Sequence, residues 1–71
     1  MSTAYKAAVK SLESGIAKWI DEDGAVQLGD VLRTECVRDT TIYTIQWHDT
    51  GEPKSHTLDS LVRHWPEEAR R

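Results

Sequence analysis

The stretch Thr41–Leu61, TIYTIQWHDTGEPKSHTLDSL, predicts the centre of the fold. Residues 41–48 are rich in β-branched and aromatic side chains, and alternation puts Tyr43, Ile45 and Trp47 on one face that is more apolar than the other, as in a half-buried strand. Gly51 lies in a polar segment that predicts a tight turn, and a shorter strand is expected at about residues 54–57. A short helix is expected near residues 58–65. The stretch therefore predicts a hairpin followed by a helix.

The chain before this stretch predicts a helix and further strands. Residues 25–37 are rich in β-formers, and Gly29 is expected at a bulge or bend. Arg38–Thr40 is polar and short enough to be a hairpin turn. A helix is expected over residues 3–21, closed by Gly24, because apolar side chains recur there at three- and four-residue steps. These side chains are Tyr5, Val9, Leu12, Ile16, Trp19 and Ile20.

The pattern as a whole predicts one α+β domain spanning residues 1–71, with three or four antiparallel strands between residues 25 and 57. The N-terminal amphipathic helix is expected to pack on the sheet, because a chain this short needs that burial. Docking of the helix on a partner or on a membrane surface is the open alternative. Residues 66–71 are expected to form a solvated tail.

Composition narrows the class of protein. The 71 residues carry 9 basic and 12 acidic side chains, a formal charge of -3, which argues against affinity dominated by nucleic-acid phosphates. Cys36 has no internal disulfide partner and, in an alternating strand, is expected to be a small core residue. No signal-peptide pattern or membrane-spanning run is present, so a cytoplasmic setting is expected. A core this thin leaves a homo-dimer open.

A family resemblance rests on three segments, Leu28–Leu32, Tyr43–Gly51 and His56–Leu61. Together they resemble the strand pattern of small SH3-like barrels of the Tudor and chromo type, over residues 28–61. The resemblance implies a partly open barrel or curved meander that binds rather than catalyses. It also implies that Tyr43 and Trp47 line a groove for a peptide or a modified cation.

The residues that carry chemistry do not form a recognised catalytic or metal-binding pattern. His48, His56 and His64 lack the spacing of a known ligand set, and solvated histidines are the expected outcome. No phosphate-cradling glycine loop or paired carboxylates are evident. The sequence therefore predicts a protein that is not an enzyme and has no cofactor or metal, although an oligomer with a shared catalytic pore is a third hypothesis by analogy.

The first functional hypothesis is a protein-interaction module, such as a small accessory or inhibitor protein. Trp19 and Trp65 are expected to close the core from the two helices, which leaves Trp47 as the interface tryptophan. The predicted partner-binding residues are Tyr43, Trp47, Asp49 and Glu52. The alternative is a nucleic-acid-binding barrel that stacks bases on Trp47 and contacts phosphates through arginines. These are Arg33, Arg38, Arg63, Arg70 and Arg71.

Overall fold

The computed structural model describes residues 3–66, which form an α+β fold. Its elements are α1 (Thr3–Glu13), β1 (Ile16–Ile20), β2 (Val26–Val37), β3 (Thr40–Trp47), β4 (Pro53–Thr57) and α2 (Leu58–Arg63). The strands make one antiparallel sheet in the order β1-β2-β3-β4, and within the described residues the sheet is not closed into a barrel. The α+β class, the antiparallel meander and the two terminal helices are as predicted.

The predicted N-terminal helix is wrong beyond Glu13. Gly15 has a φ of 90°, the left-handed conformation that commonly follows a helix, and its N–H donates to the Leu12 carbonyl at 3.0 Å. The chain then leaves as β1, which pairs with β2 from Ile16 opposite Asp30 to Ile20 opposite Val26. Gly24, expected to close the helix, instead has its positive φ of 85° in the β1–β2 turn.

Both helices cover one side of the sheet, which we call the inner face and define by Tyr43, Ile45 and Trp47 of β3. All three side chains are buried, and Ile45 is fully inaccessible. Helix α1 contributes a stripe of small residues with Leu12, whereas Tyr5, expected in this stripe, is exposed. Small side chains let the backbone of a helix lie close to the sheet that it covers. The remaining buried apolar residues are Ala4, Ala8, Ala17, Leu61 and Trp65.

Two expectations for β2 are wrong. The irregularity in its pairing with β3 lies between Val31 and Arg33, whereas Gly29 is regularly paired. Cys36 is exposed rather than buried. Its register places it on the inner face, as it does Thr34, but both residues are exposed. This end of the inner face is therefore not covered by the helices.

The turns and the second helix agree with the sequence. Arg38 and Asp39 have φ values of 50° and 66°, as a two-residue type I′ hairpin turn requires. Gly51 has the positive φ expected of it, 75°. The Thr57 hydroxyl caps α2 by accepting from the Ser60 N–H at 3.2 Å. Helix α2 ends at Arg63, two residues earlier than predicted.

Residues 67–71 of the predicted tail lie outside the described part of the chain. Neither α1 nor α2 is long and apolar enough to cross a membrane.

Candidate functional site

Four rings meet at the inner face and form what we call the aromatic cluster: Trp19, Trp47, His56 and His64. The Trp19 indole stacks on the His64 imidazole with centroids 3.9 Å apart and planes 8° from parallel. Trp19 also meets Trp47 edge to face at 6.2 Å, and His56 packs 5.0 Å from Trp19. Offset and edge-to-face contacts of this kind add to the energy of burial. The cluster is therefore a packed unit.

Hydrogen bonds fix both histidines of the cluster. The Trp47 Nε1–H donates to His56 Nε2 at 3.2 Å. An indole N–H only donates, so His56 accepts at Nε2 and carries its proton on Nδ1. His64 Nδ1 lies 3.0 Å from the Ser60 carbonyl oxygen, which only accepts, so here the proton is on Nδ1. Each ring is thus held in one tautomer.

The pKa of His56 is lowered from its ordinary value of 6.5 by burial first, and then by Coulombic interaction with Lys54 and with the neighbouring His64. The neutral form is also the form that accepts from Trp47. The electrostatics and the hydrogen bond therefore favour the same protonation state.

A groove of about 270 Å³ opens beside the cluster. Trp19, Trp47 and His56 form its wall of aromatic rings, and its polar rim includes one acidic and one basic side chain. The rim consists of Gln27, Asp49, Thr50 and Lys54. An apolar wall with a few polar groups at its edge is the usual composition of a binding cleft.

The strand registers explain why these residues meet. Side chains of directly paired residues lie on the same face of an antiparallel sheet. Trp19 is opposite Gln27, and Lys54 is opposite Ile45, so all of these side chains lie on the inner face. Gly29 pairs with Trp47 and has no side chain, which leaves room for the indole.

The predicted partner-binding residues divide between the groove and the rest of the molecule. Trp47 and Asp49 line the groove. Tyr43 and Trp47 are each only 8% exposed, so the expectation that Trp47 is the tryptophan left outside the core is wrong. Glu52 is exposed and is not part of the groove lining.

Tyr43 lies near α1 rather than in the groove. Burial, followed by the charges of Glu13 and Tyr5, raises the pKa of its phenol. The phenol is therefore neutral at physiological pH. Its position in the core makes Tyr43 a packing residue in this structure.

Sequence reasoning missed Trp19 and His56 as groove residues. Trp19 was assigned to a helix, because Ile16, Trp19 and Ile20 fit a helical repeat as well as an extended one. The available signal was Gly15, which is unfavourable in a helix interior by roughly 1 kcal/mol relative to Ala. His56 could have been found from the alternation of β4 opposite the aromatic strand.

The predicted arginine set does not converge within the described residues. The Arg33 guanidinium lies 2.7 Å from the Glu35 carboxylate, and that of Arg63 lies 3.1 Å from Asp59. Arg38 is in the β2–β3 turn. Arg70 and Arg71 lie outside the described residues.

The histidines also lie apart. His48 approaches the Asp30 carboxylate at 3.1 Å on the opposite, outer face of the sheet, whereas His56 and His64 belong to the cluster. Among residues 3–66, no three His, Cys, Asp or Glu side chains are grouped to hold a metal ion.

Comparison with known proteins gives no match: no family model, no curated protein and no solved structure is similar to this chain.

Proposed function

We propose that the protein is a non-catalytic interaction module that docks an extended segment of a partner protein into the groove. The observation that carries this proposal is the pair of indoles, Trp19 and Trp47, held at an open groove by ring stacking and by the bond from Trp47 to His56. A wall fixed before binding loses little conformational entropy when a ligand arrives.

The side-chain types suit a protein partner. Tryptophan is among the residues most often found to dominate binding energy at protein interfaces, where it combines a large apolar surface with a polar N–H. The rim supplies both a carboxylate and an ammonium group, at Asp49 and Lys54. A rim with donors and acceptors can orient a peptide backbone lying over the indoles.

The charges near the groove favour a segment that carries a basic residue beside an apolar one. A second recess shares Trp19 with the groove and is lined by the acidic residues of the β1–β2 turn, Asp21, Glu22 and Asp23. Complementary charges increase the rate of encounter and select the orientation of a partner. Lys54 adds a basic group to the lining of the groove itself.

The SH3-like relationship is part of the same proposal. The meander is followed by a short helix, and the chain after it returns to the first strand, where the Ile20 N–H donates to the His64 carbonyl at 2.8 Å. Closing a sheet into a barrel likewise brings the later part of the chain back beside the first strand. The contact supports the relationship without closing the sheet.

The test places a photo-activatable cross-linking residue at Thr50, on the groove rim, or at Ser55, exposed and on the outer face. In native lysate, we expect Thr50 to give a discrete protein adduct that Ser55 does not. A long cationic side chain at the rim should block the groove. The Thr50→Arg variant should therefore no longer recover the same partner protein from lysate, whereas the Ser55→Arg variant should still recover it. Equal adducts from both positions would contradict the proposed groove.

The nucleic-acid alternative makes a different prediction. A complex dominated by phosphate contacts weakens steeply as salt rises, whereas an aromatic docking surface does not. If the wild-type protein recovers chiefly nucleic acid that is lost between low and moderate salt, and Thr50→Arg strengthens this recovery, the alternative replaces the interaction module.

A further inference from the structure

Strand β2 extends well past its neighbour β1. β1 pairs with β2 only from Val26 to Asp30, and the last backbone bond on that side runs from the Val31 N–H to the Gly15 carbonyl at 2.9 Å. On its other side β2 pairs with β3 as far as Val37. The segment Arg33–Val37, which we call the open edge, therefore has a paired strand on one side only.

The hairpin turn determines which backbone groups point away from β3. In a two-residue hairpin, the residues that flank the turn, Val37 and Thr40, form a hydrogen-bonded pair. Because hydrogen-bonded and non-hydrogen-bonded pairs alternate, the N–H and C=O of Thr34 and Cys36 point to the open side. No backbone bond joins these groups to any other residue between positions 3 and 66.

The side chains of the open edge and of Leu32, which precedes it, combine apolar and paired charged groups. Leu32 and Val37 are 54% and 49% exposed, among the most exposed large apolar side chains of the described chain. Between them, the Arg33 guanidinium lies 2.7 Å from the Glu35 carboxylate. An exposed edge with apolar side chains is a template for strand addition.

We propose that a second copy of this chain pairs with the open edge, antiparallel and about a twofold axis at Glu35. This register places Thr34 opposite the partner's Cys36 and Cys36 opposite the partner's Thr34. Each is a hydrogen-bonded pair, so four bonds use every outward-pointing N–H and C=O of the two residues. The sheets of the two copies thereby become one continuous antiparallel sheet.

Neighbouring registers satisfy fewer constraints. A twofold axis at Thr34 would place the partner's Val37 beside Val31, where Gly15 already lies. An axis at Cys36 would place Thr34 opposite the partner's turn residue Arg38, so fewer backbone bonds would form. The axis at Glu35 alone avoids the β1 chain and uses all four groups on each strand.

Charge complementarity supports a second copy as the occupant. The twofold axis places Glu35 opposite the partner's Glu35, which alone is unfavourable. Arg33, however, is 2.7 Å from its own Glu35 and diagonal to the partner's Glu35, so two guanidinium groups flank the two carboxylates. Each copy contributes one guanidinium and one carboxylate, so the four groups at the axis sum to zero charge and each carboxylate has a guanidinium diagonal to it across the axis.

A cross-linking experiment tests the register. The paired positions 35 are non-hydrogen-bonded neighbours, with Cα atoms about 4.5 Å apart, within the range of a disulfide. The double variant E35C/C36S should therefore oxidise to a covalent dimer, whereas wild-type Cys36, diagonal to its copy at about 7–8 Å, should not. The control S55C/C36S carries an exposed thiol on β4. Equal oxidation of this control, or faster oxidation of the wild type, would overturn the proposed register.

Analytical ultracentrifugation at protein concentrations from about 10 µM to about 1 mM tests the association itself, since a short edge should give a weak dimer. Thr34→Pro removes an outward N–H without breaking the β3 ladder and should weaken dimerisation at least tenfold, whereas Thr34→Val should not.

R33E should also abolish the dimer, and R33E/E35R should restore it. A wild-type protein that is monomeric throughout, or an unchanged dimer in Thr34→Pro, would refute the proposal. Circular dichroism verifies the fold of each variant.

Discussion

Replacing Gly29 with alanine tests whether the groove depends on close packing against a bare backbone. A Cβ at this position would lie 2.7 Å from Ile45 Cγ2, 2.8 Å from Trp47 Cε3 and 2.9 Å from the Gln46 carbonyl oxygen. Atoms of a buried branched side chain, a rigid ring and the backbone cannot all move away without cost. Gly29 does not have a positive φ, so the expected loss comes from crowding rather than from backbone strain.

Overpacking of this kind costs about 1–3 kcal/mol, and the total stability of a domain of this size rarely exceeds about 3–5 kcal/mol. We therefore expect Gly29→Ala to lower the melting temperature by about 5–20 °C, because about 1 kcal/mol corresponds to about 4–8 °C in a small domain. Urea titration followed by tryptophan fluorescence measures the free energy directly. Ser55→Ala, on strand β4, is the control and should change it by less than about 1 kcal/mol, because the only side-chain hydrogen bond described for Ser55, with the Thr44 hydroxyl at 3.3 Å, is exposed to water. If there were space beside Gly29, alanine would stabilise by about 0.4–1 kcal/mol, and that result would refute the packing described above.

Three further predictions concern the core, a cap and a histidine. Leu12→Ala should destabilise by about 2–5 kcal/mol in urea titration, because this side chain is buried between α1 and the sheet. Thr57→Ala removes the α2 cap and should cost about 1 kcal/mol, whereas Thr57→Ser should cost much less. Because the pKa of His56 is lowered in the folded state, its contribution to stability should be complete above about pH 6.5 and be lost as the pH falls through the folded pKa. His56→Gln, which keeps an acceptor for Trp47, should reduce this dependence, and an unchanged pH profile would show that the histidine is not the cause.

Much of the sheet could be predicted from the sequence because its turns use residues with specific backbone requirements. Gly51 takes the expected positive φ, and the segment that contains Arg38 and Asp39 forms the expected hairpin turn. Thr57 begins α2 as predicted because its hydroxyl can cap exposed N–H groups. Each of these effects depends on residues close together in the chain, so it can be predicted from a short segment of sequence.

The end of α1 could not be predicted in the same way, because two periodicities overlap. Ile16, Trp19 and Ile20 continue the helical stripe, yet the same segment also alternates between the two faces of a strand. Pairing with residues 26–30 decided between them, and pairing is a tertiary effect. Gly15 marked the boundary, but a glycine is tolerated in a helix often enough that it did not decide the assignment.

The exposure of Trp47 and Cys36 depended on where the helices lie over the sheet. Both residues are on the inner face, but Trp47 is covered and Cys36 is not. Alternation assigns a residue to a face and does not tell how far along the strand that face is covered. The groove likewise depends on Trp19 lying in β1 rather than in a helix. The sequence therefore predicted Trp47 and Asp49 as binding residues but did not predict Trp19 as part of the groove wall.

The proposed groove and the open edge lie at opposite ends of the sheet, which has a consequence for binding. The groove is at the Trp47 end of β3 and the open edge is beside the Thr40 end; at about 3.4 Å per residue, the two are about 20 Å apart. Pairing of two copies at Glu35 therefore leaves both grooves open. A partner with two suitable segments would bind the second groove at a high effective concentration, so its affinity would exceed that of one groove by far more than twofold. Partner binding should then stabilise the weak dimer in turn, because the binding and the pairing equilibria are coupled.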